Sequence, residues 1–383
     1  MNILFCYSNW MNPVRGGVQR VSDTLAKYFI CRGHKISYLT LQYFEKDTYN
    51  FPGKIYHLPD PDFFSDINLA YYQNLLYEVS IDIVINHDAA NNHSKLFLNS
   101  GNHPAKKISL YHTDPLYGIN KAINVSGRIN NFIKIKFAGA IRFLKVQRKK
   151  MEIGQLLKKS DRLVLLSDEF HKQIIKELKI KSSKIVSINN PCVSYLEQSI
   201  IPKKKQLLFV ARIDIAVKRH DKMLQIWSYI HNKFPDWELI FLGDGPDRVK
   251  VEEMAIEMGL KNVRFEGFVD PLSYYKSASI LCMTSEYEGF PSVLLEAMQF
   301  GLTTIMFNNW ASISDVITDY ETGILIKTDN TADYIGKLDH LLSNEILRDR
   351  ISSNAIEYVK KFRIETIGPK WMSLFDDLLR EKN

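Results

Sequence analysis

The sequence predicts an α/β protein of two domains, each with a parallel sheet covered by helices. Short apolar runs of strand length alternate along the chain with longer stretches of helical periodicity. With 383 residues the chain also exceeds what one hydrophobic core usually organises. A polar connector with two prolines at 189–205 separates the halves. We therefore expect one domain over residues 1–200 and a second over residues 201–383.

The strands and helices follow each other in order through both halves. Apolar runs predict strands of the first half at 2–7, 35–41, 81–86, 107–112, 162–167 and 184–188. Helical spacing predicts its helices at 17–32, 66–79, 130–160 and 168–179. In the second half the expected strands are 206–211, 237–242, 262–266, 279–284 and 303–307. The expected helices there are 219–234, 246–259, 291–300, 330–343 and 345–361.

Composition excludes several classes of protein. A hydrophobic fraction of 45% with 24% charged residues is typical of a soluble globular protein. The four cysteines form no Cys-x-x-Cys pair, which argues against zinc and favours reduced thiols. No signal-peptide core opens the chain and no apolar run is long enough for a membrane span. We expect a cytoplasmic protein without a metal or other cofactor.

Basic residues are concentrated between residues 128 and 162. This segment has eleven Lys or Arg against two acids, a local balance of +9 in a chain of net charge +7. Ile133, Phe137, Ile141 and Leu144 share one helical face, which predicts a basic amphipathic helix. Such a helix favours an anionic membrane surface, here the inner face of the cytoplasmic membrane. A core-packed helix with a solvated charged side is the alternative, and no motif indicates nucleic acid.

A run at 285–298 sets two glutamates around a Gly-Phe-Pro turn. An apolar strand precedes the turn and apolar residues at helical spacing follow it. Pro291 suits the first helical position, so the amides of residues 292–294 are expected to be free donors for an anionic or hydroxylated ligand. Glu288 lies before the helix and Glu296 about one turn inside it. Together they are able to hold two parts of a polyhydroxylated ligand, although this spacing alone equally fits two solvated acids.

Other candidates follow the predicted strands. Gly16 and Gly17 precede the first helix, where backbone approaches a ligand closely, although a plain loop also uses paired glycines. Arg212 and Lys218 follow the strand at 206–211 and suit an anionic group, with ordinary surface cations as the alternative. His112 ends one predicted strand and its rival His87 ends the preceding one.

With their flanks, these residues resemble the family-four retaining glycosyltransferases, enzymes of GT-B fold that move a sugar from a nucleotide donor. The resemblance is strongest at residues 13–36 and 212–323 and weak at 40–160. It implies two Rossmann-like domains facing each other across a cleft. The first would hold the acceptor and the second the nucleotide-sugar donor.

The resemblance also implies roles for single residues. Arg212 and Lys218 would hold the donor diphosphate, and Glu296 the ribose hydroxyls. Glu288 and the amides after Gly289 would hold the sugar hydroxyls. It favours His112 over His87 as the histidine that reaches the sugar. The implied site consists of His112 and Glu288 as catalytic residues and of Gly16, Gly17, Arg212, Lys218, Phe268, Gly289, Phe290, Pro291 and Glu296 as donor-binding residues.

The expected activity is retaining, metal-independent transfer of a hexose or N-acetylhexosamine. UDP-sugars are favoured as donors, and the acceptor is expected to be a lipid-linked or other saccharide of bacterial surface polysaccharide biosynthesis. The alternatives are a GDP-mannose-dependent mannosyltransferase and a catalytically silent scaffold that binds nucleotide sugars. Asp60-Pro61-Asp62 has the metal motif of the other major glycosyltransferase fold, but its prolines predict a turn. Ser314-Asp315 stands where family members often carry Pro-Glu, so that segment is given no role.

Overall fold

The chain forms two compact units. A computed structural model describes residues 1–41, 49–119, 128–193 and 202–381. The N-terminal unit is Met1–Pro191 with Ile364–Asn383, and the C-terminal unit is Cys192–Arg363. The connector residues 194–201 lie outside the described residues.

Each unit is built on a parallel sheet, which confirms the predicted α/β class. In the described part of the N-terminal unit seven strands lie in the order β3-β2-β1-β4-β5-β6-β7. They are β1 Asn2–Tyr7, β2 Lys35–Thr40, β3 Lys54–His57, β4 Ile83–Asn86, β5 Lys106–Tyr111, β6 Arg162–Leu165 and β7 Ile185–Ser187. The described C-terminal unit has six strands in the order β10-β9-β8-β11-β12-β13. These are β8 Lys204–Val210, β9 Glu238–Leu242, β10 Val263–Phe265, β11 Ala278–Met283, β12 Thr303–Phe307 and β13 Ile324–Ile326.

Helices connect most pairs of successive strands, as is usual where the strands of a sheet are parallel. The α-helices are α1 Gly17–Cys31, α2 Asp66–Glu78, α3 Ser94–Phe97, α4 Arg128–Lys159, α5 Asp168–Gln173, α6 Ile215–Lys218, α7 His220–Ser228, α8 Arg248–Glu257, α9 Leu272–Ser277, α10 Ser292–Gln299, α11 Ile313–Val316, α12 Thr331–Ser343, α13 Glu345–Val359 and α14 Ile364–Arg380. A π-helical turn at Ile174–Leu178 prolongs α5. None of the described helices is long and apolar enough to cross a membrane.

The C-terminal helix departs from the expected division of the chain. A boundary at residue 200 assigns residues 201–383 to the second domain, whereas α14 belongs to the N-terminal unit. The rings of Phe375 and Trp371 pack against Phe29 of α1, with centroids 5.1 Å and 6.4 Å apart. Burial of these aromatic side chains on α1 holds the end of the chain on the first sheet.

Candidate functional site

In the C-terminal unit, the candidate residues gather where the strand order reverses. β8 and β11 are neighbours in the sheet, although β9 and β10 lie between them in sequence. The chain leaves these two strands at the same edge of the sheet, toward opposite flanks. In open parallel sheets this switch point is where ligands bind. Arg212 and Lys218 follow β8, and Glu288 follows β11.

Lys218 and Glu288 form an ion pair at this switch point. Lys218 Nζ lies 2.6 Å from Glu288 Oε1, with the two side chains 22% and 12% exposed. Ser285 Oγ donates to the same oxygen at 2.7 Å. The amide of Glu286 also donates to the carbonyl of Val217 at 2.8 Å, so the two loops are joined through backbone as well. A charge-assisted bond of this kind is among the stronger hydrogen bonds of a protein.

The loop after β8 is shaped by local contacts. Asp214 caps α6 by accepting from the Val217 amide, and Arg219 then adopts a left-handed backbone with φ of 56°. Thr284 Oγ1 donates to the carbonyl oxygens of Lys218 and Arg219, at 3.1 Å and 2.7 Å. These bonds hold the chain where Lys218 points to Glu288. Arg212 is exposed two residues beyond β8.

The Gly243-Asp244-Gly245 turn supports the same loop through backbone. A Cβ on Gly243 would lie 1.9 Å from the carbonyl oxygen of Ala211, and one on Gly245 would lie 2.2 Å from that of Ile213. Only glycine allows so close an approach. The turn therefore fixes the residues on both sides of Arg212.

The start of α10 offers fewer donors than the sequence predicts. Pro291 lies at the N-cap rather than at the first helical position. The Leu294 amide bonds to the carbonyl of Pro291 at 3.2 Å, so it is not free. The amides of Ser292 and Val293 bond to no described residue. Two of the three predicted amides are thus available to a ligand.

Sequence reasoning missed two residues that support the 285–289 turn. Asn309 Nδ2 donates to the carbonyl of Ser285 at 3.0 Å, and Ser312 Oγ donates to that of Gly289 at 2.6 Å. Both belong to the segment 308–316 around Ser314 and Asp315, for which the sequence predicts no role. The segment mixes polar and apolar residues after a buried strand, but nothing in the sequence indicates which residues its polar side chains bond to.

Three other predicted donor-site residues differ in exposure. Glu296 is 1% exposed and accepts from the buried Tyr275 hydroxyl at 3.1 Å. Phe290 is 6% exposed and packs against Phe362, so its side chain is part of the core and only its backbone is left to meet a ligand. Phe268 is 63% exposed beside Gly267.

In the N-terminal unit the strand order reverses between β1 and β4. Gly16 and Gly17 follow β1, and Gly17 is the first residue of α1, which has no side-chain cap. Gly16 has an extended backbone with φ of 174°, so its conformation does not require glycine. An added Cβ there would meet only the end of the Gln19 side chain, at 2.9 Å.

His87 and His112, the rival histidines, lie together at this edge. Their rings stack at a centroid distance of 5.1 Å and an angle of 9°, and His87 Nδ1 lies 2.9 Å from His112 Nε2. His87 is 4% exposed, whereas His112 is half-buried. Burial lowers the pKa of His112 to about 3 and that of His87 well below its usual value, to which the neighbouring His112 also contributes. Both imidazoles are neutral at pH 7.

The basic helix α4 lines a groove in the same unit. The groove has a volume of about 710 Å³ and lies between α4 and the segment after β4. Its cations are Lys95, Arg148 and Lys159, and Met151 adds an apolar side chain that is 62% exposed. None of these three cations pairs with a described residue, whereas Lys149 of α4 bonds to the Tyr111 hydroxyl and Glu152. The side chains of Ile133, Lys134 and Phe137, part of the predicted apolar and basic faces, lie outside the described residues.

Among the described residues, no cluster of three His, Cys, Asp or Glu side chains is arranged to hold a metal ion. Asp60 and Asp62 lie in a turn, where each side chain accepts a backbone amide two residues on. This is the turn that the flanking prolines predict.

Residues 196–358 match the family model described as glycosyl transferases group 1. This segment belongs to that family. The match contains Arg212, Lys218, Glu288 and Glu296, and over this segment it confirms the resemblance to a glycosyltransferase family.

Curated relatives cover part of the chain. An uncharacterized glycosyltransferase of Haemophilus influenzae is 29% identical over 56% of this chain and 61% of its own length. An α-1,4-N-acetyl-D-galactosaminyltransferase of Campylobacter jejuni, named for an undecaprenol-linked substrate, is 27% identical over 55% and 57%. A poly(ribitol-phosphate) α-N-acetylglucosaminyltransferase of Staphylococcus aureus is 23% identical over 85% and 62%. The chain thus spans about three fifths of the length of these relatives.

Solved structures share the fold over nearly the whole chain. A mutant of S. aureus TarM, crystallised with UDP and α-GlcNAc-glycerol among its ligands, superposes with a TM-score of 0.77 at 16% identity, covering 98% of this chain and 99% of that one. WaaG, a glycosyltransferase involved in lipopolysaccharide biosynthesis, gives a TM-score of 0.71 at 19% identity, covering 97% and 99%. At these identities the likeness shows the fold, which is GT-B.

Proposed function

We propose that the protein is a glycosyltransferase that transfers a sugar from a nucleotide donor in bacterial surface polysaccharide biosynthesis. The observation that carries the proposal is the ion pair of Lys218 and Glu288 at the switch point of the C-terminal sheet. It unites two residues 70 positions apart that the family resemblance assigns to adjoining parts of one donor. A purely structural role for the ion pair does not explain the exposed Arg212 in the loop after β8, nor the Ser292 and Val293 amides, which bond to no described residue.

Each group then has a part in donor binding. Arg212 and Lys218 hold the diphosphate, and the Ser292 and Val293 amides add donors near it. Glu288 accepts from sugar hydroxyls, and Glu296 accepts from ribose hydroxyls. Because Glu288 already pairs with Lys218, an arriving diphosphate shares the lysine with that carboxylate. Phe268 offers an exposed ring on which a base would stack.

Transfer is proposed to retain the anomeric configuration and to need no metal ion. Lys218 and Arg212 stabilise the negative charge that collects on the leaving diphosphate, the task a metal ion performs elsewhere. The acceptor hydroxyl attacks from the leaving-group face and gives its proton to the donor phosphate. The neutral imidazole of His112 contacts the transferred sugar.

A UDP-linked N-acetylhexosamine is the favoured donor. Two of the relatives above are named for transfer of N-acetylgalactosamine or N-acetylglucosamine, and the TarM structure contains UDP. A GDP-mannose-dependent mannosyltransferase is the alternative that the same residues would serve.

The acceptor is proposed to be a lipid-linked oligosaccharide met at the inner face of the cytoplasmic membrane. Lys95, Arg148 and Lys159, which pair with no described residue, support an anionic partner for the N-terminal unit. Phe143 and Leu144 support a lipid surface, since they are 61% and 66% exposed on the basic helix.

A screen of nucleotide sugars by thermal shift and donor consumption tests the proposal. A donor at 100 times its dissociation constant adds about 2.7 kcal/mol of stability. We expect UDP-N-acetylhexosamines to stabilise the protein and to be consumed in the presence of a lipid-linked acceptor pool. Stabilisation without turnover for every donor and acceptor would instead identify a silent nucleotide-sugar-binding scaffold.

A further inference from the structure

We propose that His87 is a positioning residue that fixes the tautomer of His112, so that His112 carries its proton on Nδ1 and acts as a hydrogen-bond donor. The sugar as recipient of that bond rests on the proposed function. The tautomer itself follows from contacts within the N-terminal unit.

His87 Nδ1 has two polar neighbours, His112 Nε2 at 2.9 Å and Ser22 Oγ at 3.3 Å. The Ser22 hydroxyl donates its single proton to the carbonyl of Val18 at 2.8 Å. Ser22 Oγ is therefore left as an acceptor toward His87. A lone pair on His87 Nδ1 would face the lone pairs of Ser22, whereas a proton there satisfies both neighbours.

The other ring nitrogen of His87 leads to the same tautomer. His87 Nε2 is buried and has no hydrogen-bond partner. Rings of Phe5 and Tyr7 lie edge-on to this imidazole, with centroids at 5.3 Å and 6.3 Å. A buried N–H without an acceptor is rarer than an unpaired acceptor, so the proton belongs on Nδ1.

The tautomer of His87 decides that of His112. His87 Nδ1–H donates to His112 Nε2, which must then hold a lone pair. A neutral imidazole has one N–H, and for His112 it is therefore on Nδ1. His112 remains half-buried and its Nδ1 bonds to no described residue, so this N–H is left to donate to a hydroxyl or carbonyl oxygen of the transferred sugar. With its only lone pair committed to His87, His112 is not a general base.

Long-range proton–nitrogen NMR on protein labelled with ¹⁵N-histidine reads the tautomer directly. His112→Asn identifies the signals of His112 by their loss. We expect the wild-type signals to show protonation on Nδ1. Protonation on Nε2 would overturn the proposal, whatever the protein's activity.

Two substitutions of His87 separate donation from packing. In His87→Asn the amide nitrogen stands near the place of Nδ1 and still donates, whereas His87→Leu fills space without a donor. Free neutral imidazole favours the proton on Nε2, so His87→Leu should shift His112 toward that tautomer and His87→Asn should not. We expect kcat/KM to fall about fivefold in His87→Leu and less than about twofold in His87→Asn, at matched melting temperatures. An unchanged His112 tautomer in His87→Leu would refute the role of His87.

Failure of the proposed function has a different outcome. A protein that consumes no nucleotide sugar but shows the Nδ1–H tautomer and its loss in His87→Leu contradicts the activity and keeps the inference. A protein that consumes a nucleotide sugar but carries the His112 proton on Nε2 supports the activity and contradicts the inference.

Discussion

Lys218 and Glu296 hold different parts of the proposed donor, so they meet different changes during the reaction. Lys218 faces a diphosphate whose charge grows as it leaves, so its contribution is larger in the transition state than in the ground state. We expect Lys218→Ala to lower kcat by about a hundredfold or more. Glu296→Gln should act mainly on donor KM, because the ribose does not change. Steady-state kinetics of donor consumption separates the fall in kcat expected for Lys218→Ala from the change in donor KM expected for Glu296→Gln.

Lys233 provides the matched control for this substitution. It forms an exposed ion pair with Asp339 in the same unit, away from the switch point. Such pairs contribute at most about 1 kcal/mol to stability and none to the proposed chemistry. Lys233→Ala should keep wild-type kcat, and full activity in Lys218→Ala would remove this site from the mechanism.

His220 gives the C-terminal unit a pH-dependent stability. It is fully buried, neither ring nitrogen has a partner, and burial lowers its pKa to about 4. Its pKa in the unfolded chain is about 6.5, so the unfolded state binds more protons below that pH and stability falls as pH drops. We expect a loss of about 1.4 kcal/mol at pH 5.5 relative to pH 8 from this residue.

Denaturant unfolding at the two pH values, with hydrogen exchange to resolve the units, measures this loss. His220→Phe should flatten the pH dependence of the C-terminal unit. His340→Asn should not, because His340 is exposed on α12. An equal slope in wild type and His220→Phe would contradict the assignment.

At the scale of elements, α4 carries two kinds of basic residue: some bond within the fold, and others pair with no described residue. Arg148, Lys150 and Lys159 pair with no described residue, whereas Lys149 bonds within the fold and Lys145 donates to the carbonyl of Gly118. We expect the protein to pellet with anionic but not neutral vesicles, and to be released as salt screens these charges. Replacing Arg148, Lys150 and Lys159 by Gln should weaken pelleting severalfold without lowering the melting temperature.

The same number of charges removed elsewhere is the control. Gln at Lys233, Lys250 and Lys261 of the C-terminal unit lowers net charge equally and should leave vesicle binding unchanged. Equal loss in both triple variants would mean that net charge, not α4, attracts the protein to lipid.

An element could be predicted from the sequence when the residues that determine it are neighbours in the chain. Strands buried on both faces, such as β1 and β11, were predicted within a residue because they are nearly continuous apolar runs. β3 was missed because Lys54–His57 has polar residues at both ends and is only partly buried, so it is not an apolar run. β13 is as short as β7 and β10, which were predicted, so its length does not explain why it was missed. α14 was not predicted, although Ile367, Trp371 and Phe375 recur at helical spacing. Its docking on α1 of the N-terminal unit could not be predicted, because no local pattern indicates which distant core a helix joins.

The same limit applies to the site. Position after a strand and family resemblance placed Lys218 and Glu288 in one site, and the structure brings them into contact. His87 and His112 were treated as rivals, although parallel strands β4 and β5 end at one edge of the sheet and set the rings against each other. Tyr275 under Glu296 and Ser312 under Gly289 could not be found, since their bonds depend on three-dimensional packing.

At the scale of the whole molecule, the last helix α14 belongs to the N-terminal unit. A destabilising substitution in one hydrophobic core should therefore affect the residues of that unit, however far apart they lie in sequence. Phe375 is fully buried against Phe29 and Trp371, and truncating it to Ala should cost about 3–5 kcal/mol. We expect Phe375→Ala to raise hydrogen exchange in α1, β1 and β2, more than 300 residues away in sequence, while α12 and β12 stay protected.

Leu338→Ala in α12 is the reciprocal variant, since Leu338 is fully buried in the core of the C-terminal unit. It should raise exchange in β12 and β13 and weaken binding of UDP, because Arg212, Lys218 and Glu296, the proposed diphosphate and ribose ligands, lie in that unit. Phe375→Ala should leave the dissociation constant of UDP within about threefold of wild type. Loss of UDP binding in Phe375→Ala with an intact C-terminal exchange pattern would show that the N-terminal unit, which contains Gly16 and Gly17, contributes as much to nucleotide binding as the second sheet, against the assignment of the donor mainly to that sheet.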